Sequence, residues 1–183
     1  TAAEMPNILF VCSANRFRSV LAAGCFQHQL EQYNLTGACS VGSAGIWASE
    51  GAPPLREAID LAVQHGYNVE SIRSREISSS LVSAADLIIV MTQGQKEAIE
   101  NDFPLASGKT FLLTDICAGQ VYDIPDPVIS VEEDPSTIAA EICDLVRTGF
   151  PRILRKLSIP LPLITPDGVL AGVAQPEEQT QPL

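Results

Sequence analysis

Uninterrupted apolar runs alternate along this chain with stretches whose apolar residues recur at helical spacing. The first run, NILFV from Asn7 to Val11, is β-branched and aromatic, as a strand buried on both faces requires. Helical spacing follows from about Ser19 to Tyr33, and CSVGSAG from Cys39 is a weaker strand. PPLREAIDLAVQHG predicts a helix with Pro54 near its first turn, Gly66 as its stop, and Leu55, Ile59, Ala62 and Val63 as its apolar stripe. A polar, serine-rich segment with room for a short helix, SIRSREISSSLVSAA, leads into DLIIVM, the strongest buried-strand run. TQGQKEAIEN continues as a helix. KTFLLT from Lys109 predicts a fourth strand, and DICAGQVYDIPDPVIS a loop. Asp134 and Pro135 read as an N-cap and first helical position, with Ile138, Ile142, Leu145 and Val146 as the stripe beyond them. Gly149 and Pro151 are expected to kink or break that helix before RILRKL.

Strands alternating with helices imply right-handed crossovers, and hence a four-stranded parallel sheet with helices on both faces. The expected class is α/β, a single-domain, three-layer, doubly wound fold. A chain of 183 residues suits one such domain. Residues 1–157 carry the periodic pattern, and 158–183, rich in proline, read as a peripheral or mobile tail. In sheets of this kind, ligands bind beyond the carboxyl ends of the strands.

Composition narrows the partners. With 46% hydrophobic and 18% charged residues the chain is foldable, and its net charge of −11 disfavours nucleic acid and anionic membrane, both of which need a basic surface. No apolar run is long enough to span a bilayer, and no basic segment followed by an apolar core marks a signal peptide; Met5 is a candidate native start. Five cysteines without CxxC spacing argue against a secreted disulfide framework and for a reducing cytoplasm. The Asn34-Leu35-Thr36 triplet carries little weight as a glycosylation site. Nothing in the sequence sets an oligomeric state.

Any anion must therefore be met locally, and one stretch is built for it. FVCSANRFRS, Phe10 to Ser19, places Cys12 five residues ahead of Arg18, with Ser19 next, between a buried strand and a helix start. Successive N–H groups at such a turn point into one concavity, and the helix dipole adds partial positive charge. Ser13, Ala14, Asn15, Arg16, Phe17, Arg18 and Ser19 would then form a phosphate-binding loop. A thiol held beside cations and a helix N-terminus ionises readily, and the thiolate is the nucleophile. Arg18 can grip two phosphoryl oxygens through its planar fork, and Ser19 can donate to the Cys12 sulfur.

The chain here resembles the low-molecular-weight protein tyrosine phosphatase family, whose signature is a C-x5-R-S loop after the first strand. ILFVCSANRFRS, VGSAG, SREI with LVSAADLIIVMT, and DIPDP carry the resemblance over most of residues 6–157. It implies a metal-independent phosphatase without cofactor, acting on a phosphorylated protein or small phosphate monoester, phosphotyrosine first. It implies Cys12 as nucleophile, Arg18 as phosphate clamp, Asp126 of the Asp126-Pro127 pair as general acid, and Asn15 as a brace of the loop. Asp123 is the rival acid.

Several positions depart from the family pattern. Ala14 replaces a common glycine, which is conservative where φ is negative. Phe17 replaces a second loop cysteine, so a protective disulfide with Cys12 is not available. Arg16 stands at a substrate-selecting position, either as a second cation beside the pocket or directed to solvent. Val128 and Ile129 follow Pro127 where aromatic residues often flank the substrate, which leaves Trp47 as the aromatic candidate for the substrate wall. Cys25, Cys39, Cys117 and Cys143 read as small core hydrophobes, His28 and His65 as structural or surface histidines, and Arg73 and Arg75 as solvated loop charge more than rim residues. Three alternatives stand beside phosphotyrosine hydrolysis: phosphoarginine hydrolysis, arsenate reduction, and a non-catalytic phosphate-binding regulatory module. The stretch from Ser78 to Gln95 lacks the cysteines an arsenate relay needs.

Overall fold

In the computed structural model, which describes residues 4–162, four parallel strands among the described residues form one sheet in the order β2-β1-β3-β4. These are β1 (Asn7–Cys12), β2 (Ser40–Gly45), β3 (Leu87–Val90) and β4 (Thr110–Leu112). Successive residues of β1 face opposite sides. Ile8 and Phe10 join one core with α1 (Arg18–Gln32) and α6 (Pro135–Lys156), while Leu9 and Val11 join a second core with α3 (Ser79–Ala84) and α4 (Gln93–Asp102). Burial on both faces is why β1 and β3 are continuously apolar. The expected doubly wound architecture is the one observed. Most of the expected tail, residues 163–183, lies outside the described residues, but Ile159 still packs on the first core.

Aromatic contacts fasten the first layer. Phe26 of α1 sits between Phe10 and Phe150 at ring separations of 5.7 and 5.3 Å, each tilted pair contributing about 0.5–1.5 kcal/mol beyond its buried area. This pins the middle of α1 between β1 and α6. The strand order reverses direction at β1, so the crevice at its carboxyl end, between the connections to β2 and β3, is the expected ligand position.

Three local expectations are corrected. DICAGQ is not loop, because the chain turns straight from β4 into α5 (Leu113–Ala118), burying Leu113, Ile116 and Cys117 on one face and closing at Gly119, φ 68°. Gly149 and Pro151 do not break α6, which runs uninterrupted from Pro135 to Lys156. Burial of Phe150, Ile153 and Leu154 on either side of the proline offsets the roughly 3 kcal/mol that an interior proline costs. The apolar face of α2 (Arg56–Gln64) is rotated: Ala58, Leu61 and Ala62 are buried, whereas Val63 is exposed, because α2 packs sideways against α1 and α6 and not over the sheet. As expected, Pro54 stands beside the first turn of that helix, immediately before the N-cap Leu55, and Gly66, φ 89°, stops it.

Gly149 is the contact point of α5 and α6, since a Cβ built there would lie 2.6 Å from Cys117 Cα. Gly149→Ala is therefore expected to lower stability by about 1–3 kcal/mol through overpacking, against a helix-propensity gain of about 1. A urea midpoint unchanged from wild type would contradict this.

Candidate active site

The turn from β1 into α1 is held by its carbonyls. Cys12 and Ser13 carbonyls accept from the Ile46 and Trp47 amides at 3.0 and 2.9 Å, and the Arg16 carbonyl accepts from Leu55 N–H at 3.0 Å. With the carbonyls turned outward, the amides face the other way; among the described residues, those of residues 13–18 donate to no protein acceptor. Gly45 permits the approach of β2 to this turn, because a Cβ there would lie 2.7 Å from the Ser13 carbonyl oxygen. The outcome is a concavity lined with N–H groups at the start of α1, a geometry suited to a tetrahedral anion.

The left-handed residue of the turn is Asn15, φ 56°, a conformation asparagine tolerates better than most. Its side chain is buried and spent on support: Oδ1 accepts from Arg75 N–H at 3.1 Å and Nδ2 donates to Ser19 Oγ at 2.8 Å. Ser19 Oγ lies 3.0 Å from Cys12 Sγ. Since Asn15 already donates to that hydroxyl, its proton is free to point at the sulfur. Ala14 does not take positive φ, so alanine adds no strain there. Phe17 is buried at the N-cap of α1, and its carbonyl accepts from Leu21 N–H.

Arg18, 3% exposed, is aimed by contacts from distant segments. One nitrogen donates to the Ile124 carbonyl at 2.9 Å, and the other lies 3.3 Å from Asp126 Oδ2 and 3.5 Å from Ser13 Oγ. The Ile124 amide donates in turn to the Met91 carbonyl at 2.9 Å, which ties the DIPDP loop to the end of β3. Asp126 Oδ1 accepts from Val128 N–H at 3.0 Å, fixing the carboxylate over the cleft. Asp123 is placed elsewhere, accepting from Gln93 N–H at 2.8 Å. Of the two aspartates, only Asp126 lines the cleft.

That cleft, about 280 Å³, has Cys12, Ser13, Ala14, Phe17 and Arg18 around its floor, with Asp126 at one side. Its walls are Trp47, Leu55, Val128 and Ile129, mostly apolar. Trp47 is 79% exposed, so it is rim and not core. Arg16 also lines the cleft; its Nε donates to the Pro53 carbonyl at 2.9 Å, which holds the side chain across the mouth and not out in solvent. Leu55 was not among the expected residues.

Gln95 was also missed. It is buried, its Oε1 accepts from the Met91 and Thr92 amides, and its Nε2 donates to Ser13 Oγ at 3.2 Å, linking the start of α4 to the loop. The signal was present: Thr92 and Gln95 form a capping box, a threonine followed three residues later by glutamine after a strand. Arg75 is half-buried and structural, its amide holding Asn15 and its Nε donating to the Ser43 carbonyl at 2.9 Å, so its reading as solvated loop charge is corrected. The other four cysteines are buried core thiols. Burial pushes Cys117 up to about 12 and Cys39 to about 11, and the hydrogen bond that Cys25 donates to Cys143 Sγ, together with burial, raises Cys25. All three stay protonated at neutral pH and are poor nucleophiles.

Comparison with known proteins gives the family. The family model for low molecular weight phosphotyrosine protein phosphatase matches residues 7–159. The chain belongs to this family. A probable low molecular weight protein-tyrosine-phosphatase EpsP of Ralstonia nicotianae is 36% identical over 120 residues, covering 66% of this chain and 77% of the relative. A protein-arginine-phosphatase of Geobacillus stearothermophilus is equally similar, 36% over 120 residues with the same coverage. A solved YwlE arginine phosphatase mutant with a phosphorylated active site serine superposes with a TM-score of 0.73 at 26% identity, covering 82% of this phosphatase and 96% of that one. Among the described residues of this phosphatase, no helix is long and apolar enough to cross a membrane.

Proposed function

We propose that this phosphatase hydrolyses phosphorylated protein side chains, phosphotyrosine foremost, with Cys12 as nucleophile, Arg18 as clamp and Asp126 as general acid and base. The observation that carries the reading is one cleft with the Cys12 thiol and the free loop amides at its floor and the Arg18–Asp126 pair at its side. Bound phosphate draws the Arg18 fork onto two of its oxygens, which loosens the 3.3 Å contact to Asp126 and frees that carboxyl to carry a proton. The Cys12 thiolate attacks phosphorus in line, the P–O bond to the side chain breaks, and Asp126 gives its proton to the departing oxygen. Asp126, now a carboxylate, takes a proton from water, whose oxygen displaces the Cys12 sulfur and releases phosphate. Arg18 and the loop amides supply the positive charge that the transferring group needs, and the Ser19 hydroxyl stabilises the sulfur as attacker and as leaving group.

The apolar walls favour an aromatic leaving group over a charged one. Phosphoarginine would place a guanidinium beside Arg16, and the cleft lining offers no carboxylate except Asp126. A phosphotyrosine peptide is accordingly expected to exceed the matching phosphoarginine peptide in kcat/KM by at least about tenfold. The reverse order would overturn the phosphotyrosine assignment while leaving the phosphatase chemistry intact. The odd number of cysteines and their burial as free thiols support a cytoplasmic location.

A further inference from the structure

A second cleft, about 370 Å³, opens on the flank of the domain between α1 and the segment from Asn68 to Arg75. Its volume falls in the range of small-molecule sites. It is the wrong sign for its setting. In a chain of net charge −11, the cleft is lined by Arg73 and Arg75 and by no aspartate or glutamate.

Both guanidinium groups are held by backbone carbonyls. Arg73 donates through one terminal nitrogen to the carbonyls of Glu70 and Ile72 at 2.7 and 2.9 Å, and Arg75 donates through Nε to the Ser43 carbonyl at 2.9 Å. Arg75 lies flat on β2 because Gly42 has no side chain; a Cβ there would meet its guanidinium at 2.6 Å. These contacts orient the forks without consuming them. Each has five N–H donors, and most of them have no acceptor among the described residues; neither arginine forms an ion pair there. Ser71 and Asn68 add neutral hydrogen-bonding groups, and Val41 and Ile72 an apolar floor.

We propose that this cleft is a second anion site, taking a small organic phosphate with its phosphoryl group between Arg73 and Arg75 and its organic part on Val41 and Ile72. Paired guanidinium forks suit phosphoryl oxygens, and the apolar floor distinguishes an organic phosphate from a bare ion. The site is separate from the catalytic concavity, with which it shares no lining residue.

The test is titration of the protein with phenylphosphonate, whose C–P bond the phosphatase reaction does not cleave, followed by backbone amide NMR. Two sets of amides are expected to shift with separate saturation curves, residues 13–18 for the catalytic loop and residues 42–43 with 71–73 for the flank. Arg73→Gln removes a guanidinium and Ser71→Glu places a carboxylate in the cleft, both at exposed positions. Each is expected to weaken the flank set by at least about tenfold, leaving the loop set and the basal aryl phosphatase rate as in wild type. Response of the loop set alone, or a flank set indifferent to both substitutions, would overturn the proposal. Response of the flank set alone would support it and instead count against the phosphatase reading.

Discussion

Cys12→Ser is expected to abolish turnover of an aryl phosphate, lowering kcat by about 10⁴-fold or more, while phosphate still binds the loop. The separation follows from the geometry. The proposed phosphate ligands are the amides of residues 13–18, which donate to no protein acceptor among the described residues, and Arg18; the substitution touches none of them, whereas the proposed attack on phosphorus needs a thiolate. A serine hydroxyl is a far weaker nucleophile at neutral pH and, once phosphorylated, a far poorer leaving group. Phosphate affinity is read from the shift of the loop amides and turnover from release of the aryl alcohol. Loss of both would indicate a collapsed loop; loss of neither would remove Cys12 from the chemistry.

Asp126→Ala carries the second largest effect, a fall in kcat of about 10²- to 10⁴-fold with phosphotyrosine. The size should depend on the leaving group. An alkoxide or phenoxide of high basicity needs the proton of Asp126, whereas an activated aryl oxide leaves without it, so the defect in the first step shrinks as the leaving group improves. A defect of the same size with activated and unactivated leaving groups would remove Asp126 from the acid's role.

Much of this site was legible in the sequence because its parts are local. An apolar run, a thiol, five intervening residues and an arginine at a helix start define the loop within twelve consecutive positions, Ile8 to Ser19. Asp134 and Pro135 were equally readable, since a cap acts within one turn, and Asp134 does accept from Ser136 N–H. What escaped depends on distance along the chain. Gln95 meets Ser13 across 82 residues and Arg18 meets the Ile124 carbonyl across 106, and no local pattern says which carbonyl a buried arginine will find. The continuity of α6 escaped for a related reason. Proline and glycine speak locally against a helix, but α6 buries Phe150 and Ile153 against the first core, and that packing decides. The short α5 lay below the length at which periodicity is distinguishable from loop.

Arg16 and Phe17 now have places if not conventional partners. Phe17 fills the base of the loop where a second thiol would offer Cys12 a resolving partner, so reversible protection through a loop disulfide is absent by construction. Arg16 bridges from the loop to the Pro53 carbonyl and sets a second cation in a cleft whose walls are mostly apolar.

The most direct measurement is a rapid acid quench of Asp126→Ala with an activated aryl phosphate, followed by mass spectrometry of the peptides. The activated leaving group spares the first step, and loss of the base slows attack by water on the intermediate, so the phosphoenzyme should accumulate. One phosphoryl group per chain is expected, attached to Cys12. Aryl alcohol released in a burst with no phosphoryl group on Cys12, or with the phosphoryl group on another residue, would contradict it.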